Sequence, residues 1–333
     1  MTEPDVDLVG IDEIRAAAAT LAGIALRTPL VPFGTAERNQ WLKAESLQPI
    51  GAFKIRGAYN AAASLAPADR ARGLITYSSG NHAQGVARAA RLLGVPAAIV
   101  MPSDAPAIKR ARVEADGAQV VVVGTASEER RAVAEEIARA RGLAIIPPYD
   151  DPRIIAGQGT VGLEIAEDMP DVAAVLVPIG GGGLASGVAA AISALAPNAR
   201  IIGVEPELAA DARESLVEGH IVSWPAERTS RTIADGTRTQ SIGHLNFAHL
   251  RAQLDLIVTV TELEIAAAVR LAAEEARLVV EPSGALAIAA MRFHAEEAGL
   301  VGLDGPIVGV VSGGNVDPEV YLELLQAPIP PEA

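Results

Sequence analysis

At 333 residues the chain is too long for one compact core and short for three, which leaves two domains or one large α/β domain. Half its residues are apolar and only 3% are aromatic, which excludes disorder and implies a core of Ala, Val, Leu and Ile, as in helix-covered parallel sheets. A net charge of −14 argues against binding nucleic acid or anionic membranes, and the absence of cysteine removes disulfides, thiol catalysis and Cys-based metal centres.

The N-terminal MTEPDVDLVG is acidic and has no basic–apolar signal pattern, so a cytoplasmic protein is expected. Short apolar runs at 74–78, 97–101, 120–123, 174–179, 200–205, 256–260 and 306–311 read as strands. Ala-rich amphipathic stretches at 81–94, 106–116, 127–141, 153–168, 184–195, 262–277 and 284–298 read as helices. The alternation predicts parallel βαβ units, one group at 73–145 and another from about 150 to 325. The uncharged run 172–198 is cut by Pro178 and Gly180 to Gly183 into pieces too short for ~30 Å of hydrocarbon, so no membrane span is expected. The final QAPIPPEA reads as a frayed tail, with no regulatory domain after it.

Three segments carry chemistry. The chain uses 24 Arg but only three Lys, at 43, 54 and 109, and only a lysine side chain can form an imine. KAESLQPIGAFKIRGAYNA (43–61) puts Lys54 at a helix start beside Phe53, though a solvated helix lysine would look the same. In TYSSGNHAQGVARAARLLG (76–94) a strand runs through a Ser/Gly/Asn turn into a helix. Those groups can take a carboxylate or ring oxygen, or Ser79 or Asn81 can merely cap the helix, with His82 an ordinary first-turn residue. AVLVPI-GGGG-LASG is strand, glycine loop and helix, a backbone cradle for phosphate. Gly180, Gly182 and Ala185 also satisfy G-x-G-x-x-A, with Glu205 20 residues after Ala185, so a dinucleotide site competes. PIVGVVSGGNVD (306–317) delivers Ser312, Gly313 and Gly314 at a third strand end. In a parallel sheet such loops share the carboxyl edge, where ligands bind.

Six motifs in order, LQPIGAFKIRGA (47–58), SSGNHAQGVA (78–87), AGQGTVGLE (156–164), GGGGLASG (180–187), TIADG (232–236) and VSGGN (311–315), carry a resemblance over about residues 10 to 325. The chain resembles the pyridoxal-phosphate enzymes of fold type II, most closely the serine/threonine dehydratase and serine racemase branch. The resemblance implies an α/β, tryptophan synthase β-like fold of two three-layer domains with mostly parallel sheets. The large cofactor domain would comprise 1–50 and 146–325, the small domain 51–145, and the tail 326–333. It implies a homodimer and a small amino-acid substrate.

By the same resemblance, Lys54 matches the lysine that forms the Schiff base with pyridoxal 5′-phosphate, and Phe53 packs beside its ring. Asn81 would bond the 3′-oxygen, Gly180, Gly181, Gly182, Gly183 and Leu184 would form the phosphate cup, and Ser312 would face the pyridine nitrogen. Ser78, Ser79, Gly80 and His82 match the loop that takes the substrate carboxylate, and Ser79 also matches the acid/base opposite the lysine in racemases. Glu205, Ala209 and Asp211 match a site for Mg²⁺, Mn²⁺ or Ca²⁺, although a solvated acidic helix start has the same residues. A hydroxyl rather than a carboxylate at the pyridine nitrogen weakens the electron sink and favours loss of a β-leaving group. The expected activity is β-elimination of L-threonine or L-serine to a 2-oxo acid and ammonia. A serine or aspartate-type racemase, a dehydratase of 3-hydroxyaspartate or a bulkier β-hydroxy amino acid, and a nicotinamide-dependent dehydrogenase are the alternatives. Tyr149 stands where racemases commonly carry Asn, and either Arg130 or Arg131 falls near their substrate arginine.

Overall fold

The computed structural model describes residues 7–78, 80–103, 105, 107–124 and 127–331. Its strands in chain order are β1 (Leu30–Phe33), β2 (Gln40–Ala44), β3 (Leu74–Tyr77), β4 (Ala97–Pro102), β5 (Gln119–Val123), β6 (Ala144–Ile145), β7 (Ala174–Pro178), β8 (Arg200–Pro206), β9 (Leu256–Val260) and β10 (Ile307–Val311). They form two sheets, ordered β1-β2-β10-β7-β8-β9 and β5-β4-β3-β6. Every pairing is parallel except β1 with β2.

Both sheets are covered on both faces, which is why their central strands are uninterrupted apolar runs. In the first sheet Leu176, Ile202, Val204 and Val258 pack on one side with helices Glu262–Leu271 and Leu286–Phe293. Their neighbours Val175, Val177, Ile201 and Ile257 pack on the other side with helices Pro152–Asp168 and Gly183–Leu195. The same period of two divides Leu74, Ile99 and Met101 from Ile75, Ala98 and Val100 in the second sheet. The fold is α/β in two three-layer units.

Helix Pro152–Asp168 joins them, and small residues let it sit close on both sides. A Cβ at Gly157 would come 2.7 Å from Gly57 Cα, and one at Gly187 would come 2.4 Å from Gly159 N. That accounts for the glycines of the AGQGTVGLE segment.

The structure adds to the expected elements and trims others. β1, β2 and β6 were not anticipated: β1 holds Pro32, β6 is two residues long, and β2 buries Lys43 by ion pairing. The apolar pattern of 262–277 is not one α-helix, because a π-turn occupies Ala272–Ala276 and Arg277 is left-handed (φ 59°). The helix expected over 284–298 spans Leu286–Phe293. Helix Asn81–Leu93 has Gly80 as its N-cap, with no side-chain cap bond, so Asn81 is not the cap. Ser79 lies outside the described residues. Among the described residues no helix is long and apolar enough to cross a membrane.

Candidate active site

The carboxyl edges of the two sheets border one cavity of about 410 Å³. The three loops singled out from sequence do not share one sheet. Tyr77, Ser78, Gly80, Asn81 and His82 follow β3 in the second sheet, whereas Gly180 to Leu184 follow β7 and Ser312 follows β10 in the first.

Lys54 and Phe53 enter between them. The left-handed Gly51 (φ 73°) turns the chain, Ala52 bridges Gly313, and Phe53 N–H donates to Ser312 O at 3.0 Å. Lys54 is thus pinned to the loop after β10 and opens helix Lys54–Ala63. Its Nζ donates to Pro148 O at 2.7 Å and lies 5.1 Å from the Phe53 ring centroid. Burial lowers its pKa to about 8, so a sizeable fraction is a neutral amine near physiological pH.

A buried charge cluster fixes that helix. Arg56, one of the largest fully buried side chains, donates to Glu45 at 2.8 Å through both Nε and Nη2. It also donates to Glu164 at 2.7 and 2.9 Å and to Thr160 at 3.0 Å. Lys43 Nζ completes the cluster on Glu164 at 2.6 Å.

The glycine loop is a cradle. Gly182 adopts φ 95°, and a Cβ on Gly181 would fall 2.1 Å from Tyr149 Cδ1. Helix Gly183–Leu195 begins within the loop, so its free amides and positive dipole end suit phosphate. Ser312 Oγ donates to Ser283 O at 3.3 Å, a long bond that the rotatable hydroxyl can exchange for donation to an unprotonated ring nitrogen. Asn81 Nδ2 donates to Glu281 at 2.6 Å, and Asn81 Oδ1 accepts from Asn315 at 2.8 Å, which holds the amide with its second N–H uncommitted. This donor set matches a phosphorylated aromatic aldehyde.

His82 lines the cavity but is nearly fully buried, with Nε2 on Ile146 O at 3.0 Å. Burial, then the Lys54 charge, lowers its pKa to about 3, so the ring is neutral.

Several lining residues escaped the sequence reading. Glu281 is buried, and its pKa is pushed up to about 7 by burial and by Asp235, against the pull of Lys109 and Asn81. A lone acid in the apolar run LVVEPSGALAI is the signal that could have found it. Tyr77 and Ser283 also line the cavity. Lys109 forms an ion pair with Asp235 across it.

Glu205 and Asp211 lie outside this cavity lining. Glu205 accepts from the amides of Ala212 (3.1 Å) and Arg213 (2.8 Å), so it does not act as the ribose acid of a dinucleotide site. Glu205 and Asp211 are fully buried, and neither oxygen of Asp211 completes a hydrogen bond. Burial, then the charge of Asp211, holds the Glu205 carboxyl well above its usual range. Burial pushes Asp211 to about 7, against the nearby amides of Asp211 and Ile242. Among the described residues no group of three or more His, Asp or Glu is poised to hold a metal ion. Two buried, mutually repelling carboxylates, of which Asp211 has both oxygens orphaned, are nonetheless a donor set suited to a hard cation.

Comparison with known proteins agrees with the geometry. The family model described as pyridoxal-phosphate dependent enzyme matches residues 21–313. The chain is similar to the serine racemase of Schizosaccharomyces pombe, with 40% identity over 94% of this chain and 96% of that protein. It is 44% identical to the L-threo-3-hydroxyaspartate ammonia-lyase of Saccharomyces cerevisiae over 86% of this chain and 85% of that one. Its fold superposes on the processed form of threonine deaminase isoform 2 from Solanum lycopersicum with a TM-score of 0.85 and 37% identity, covering 96% and 90% of the two chains.

Proposed function

Because the chain belongs to the pyridoxal-phosphate dependent enzyme family, we propose that it catalyses β-elimination from a small β-hydroxy amino acid, L-threonine or L-serine, giving a 2-oxo acid and ammonia. The observation that carries this is Lys54. It is a lysine with a lowered pKa, held at a helix start between a phosphate cradle and a serine hydroxyl.

Lys54 would hold the cofactor through its amine until the substrate amine displaces it. When bound, pyridoxal phosphate supplies an electron sink for charge developing at the substrate Cα. Gly180 to Gly183 and Leu184 would hold the phosphate, Asn81 the 3′-oxygen, and Phe53 would pack beside the ring. Freed Lys54 Nζ, steadied by Pro148 O, removes the α-proton. Ser312 offers the pyridine nitrogen a neutral partner, which keeps the sink weak and favours departure of the β-hydroxyl. Ser78, Gly80 and the neutral His82 border the place for the substrate carboxylate. Ser79, which lies between Ser78 and Gly80 in the sequence, is the group that a racemase reaction would use.

Conversion of Lys54 to Ala tests the assignment. The variant should fold, lose the visible absorbance of lysine-bound cofactor, and release no 2-oxo acid from L-threonine or L-serine. Persistence of the band would refute it. Racemisation is the second reading, supported by the 40% identity to a serine racemase, and D-serine formed from L-serine would reveal it. A divalent cation, Mg²⁺, Mn²⁺ or Ca²⁺, is proposed at Glu205, Asp211 and the Ala209 carbonyl, supported by the orphaned carboxylate of Asp211. A homodimer is proposed from the resemblance, with light scattering after size exclusion as its check.

A further inference from the structure

The segment Ile146, Pro147, Pro148 anchors two residues of the site at once. Pro148 O accepts from Lys54 Nζ at 2.7 Å. Two positions earlier, Ile146 O accepts from His82 Nε2 at 3.0 Å and from Thr76 Oγ1 at 2.8 Å, and Ile146 N–H donates to Ile75 O at 2.9 Å. His82 is the second residue of helix Asn81–Leu93, and Thr76 belongs to β3. That helix lies directly on the start of the lysine helix, where a Cβ on Gly85 would fall 3.1 Å from Lys54 O.

A carbonyl can only accept, so the proton of His82 is on Nε2 and Nδ1 is bare. Nδ1 is buried and has no hydrogen-bond partner among the described residues. Burial, then the Lys54 charge, keeps a second proton off the ring, so the neutral form with its single Nε2–H persists through the neutral range. His82, Thr76 and Ile146 are all buried, so bulk water does not compete for the Ile146 carbonyl. An apolar ring would fill the same space without an orphaned nitrogen, so volume alone does not account for the imidazole. What the imidazole adds is the Nε2–H.

The prolines carry that anchor forward. Each fixes its φ at about −65°, and a residue before a proline is held extended, which applies to both Ile146 and Pro147. Little freedom is left between the Ile146 and Pro148 carbonyls, so pinning the first sets the second. We propose that His82 is a positioning residue for Lys54: its bond to Ile146 O holds the Pro148 carbonyl, which aims the lysine amine at the substrate Cα. This deepens the reading of Lys54 as the base and rests on it. A base misplaced by about 1 Å can lose about a hundredfold in rate, so a bond remote from the reacting atoms still governs proton removal.

The test reads the α-proton step. Exchange of the L-alanine α-proton in deuterium oxide, followed by NMR in the holoenzyme, needs no leaving group. His82→Phe fills the ring's space but lacks the donor. It should slow exchange and lower kcat for L-serine by roughly tenfold or more, with KM little changed and a larger isotope effect for L-serine deuterated at Cα. His82→Gln, whose amide nitrogen reaches the Nε2 position, should restore most of the rate. Thr76→Val leaves one donor on Ile146 O and should give a smaller loss in the same sense. Unchanged exchange in His82→Phe, a His82→Gln enzyme no faster than His82→Phe, or a rise in KM at constant kcat would overturn the proposal. Should His82→Phe not fold, wild-type exchange in Thr76→Val would overturn it. A wild-type holoenzyme that exchanged no α-proton would instead sink the reading of Lys54 as the base. Uptake of pyridoxal phosphate by the apoprotein then still decides the role of His82. His82→Phe should slow uptake roughly tenfold, because the amine is no longer aimed, and an unchanged rate would overturn the proposal.

Discussion

Replacing Arg56 by Met isolates the buried charge cluster that seats the catalytic helix. Glu164 keeps Lys43 at 2.6 Å, so it remains paired. Glu45 loses its ion pair and retains Thr28 at 2.5 Å and Gln48 at 3.1 Å. Breaking a buried pair from one side costs about 3–5 kcal/mol, and the two surviving donors favour the lower end. Against a total stability on the order of 5–15 kcal/mol, that is a large loss. At about 2 °C per kcal/mol it corresponds to a fall of roughly 6 °C in Tm.

The sign with pH follows from Glu45. In the wild type burial pushes this carboxyl up, and Arg56 more than reverses the effect, leaving its pKa lowered. Its stabilisation is present above the unfolded carboxylate range and is lost as pH falls through the folded value. Without Arg56, burial dominates and the folded pKa rises, so the variant is worst near neutrality and recovers as Glu45 protonates. Calorimetric or urea unfolding of wild type, Arg56→Met and Arg56→Lys at pH 5.5 and 7.5 would measure this. A deficit under 1 kcal/mol, or one equal at the two pH values, would refute the reasoning.

Further outcomes follow from the site. The rate at which apoprotein takes up pyridoxal phosphate should climb as pH rises through about 8, where Lys54 loses its proton, well below the range of an ordinary lysine; stopped-flow absorbance reads it, and a midpoint near 10 would contradict the burial effect. Gly181→Ala should weaken cofactor retention by at least tenfold, since its Cβ would fall 2.1 Å from the Tyr149 ring, and equilibrium dialysis with absorbance measures the loss. Without added cation the fold should lose stability as pH rises from about 4 towards 7, because Asp211 has a raised pKa in the fold and binds more protons there than in the unfolded chain. Mg²⁺ should then raise Tm in wild type, whereas Asp211→Asn should be more stable than wild type without cation and respond weakly to it.

How much of this was legible depended on whether a residue's partners are local. The glycine cradle, Lys54 and Ser312 each follow a recognisable strand or loop signal, so the cavity-lining loops could be read as separate segments. Their convergence from two different sheets could not, because parallel pairing order leaves no local trace. Glu281 was missed for the same reason: its partner Asn81 is 200 positions away. β1 and β6 escaped because Pro32 and a two-residue length erase the strand pattern. The helix over 262–277 was overextended because a π-turn keeps the apolar spacing while Arg277 turns the chain aside. The capping reading of Asn81 failed because Gly80 takes the cap position and frees the amide to meet Glu281.

The scarcity of lysine also governs how selectively an aldehyde can react with this protein. Lys43 is sealed in the core against Glu164, and Lys109 is paired with Asp235. Lys54 donates to a carbonyl rather than to a carboxylate and carries the lowered pKa. Among the lysine side chains, chemoselectivity is therefore built in: the two that would compete for a reactive carbonyl compound are engaged by carboxylates, and the cofactor meets a single nucleophile. Borohydride reduction of the holoprotein should accordingly fix one pyridoxyl group per chain on a lysine, even from a large excess of aldehyde.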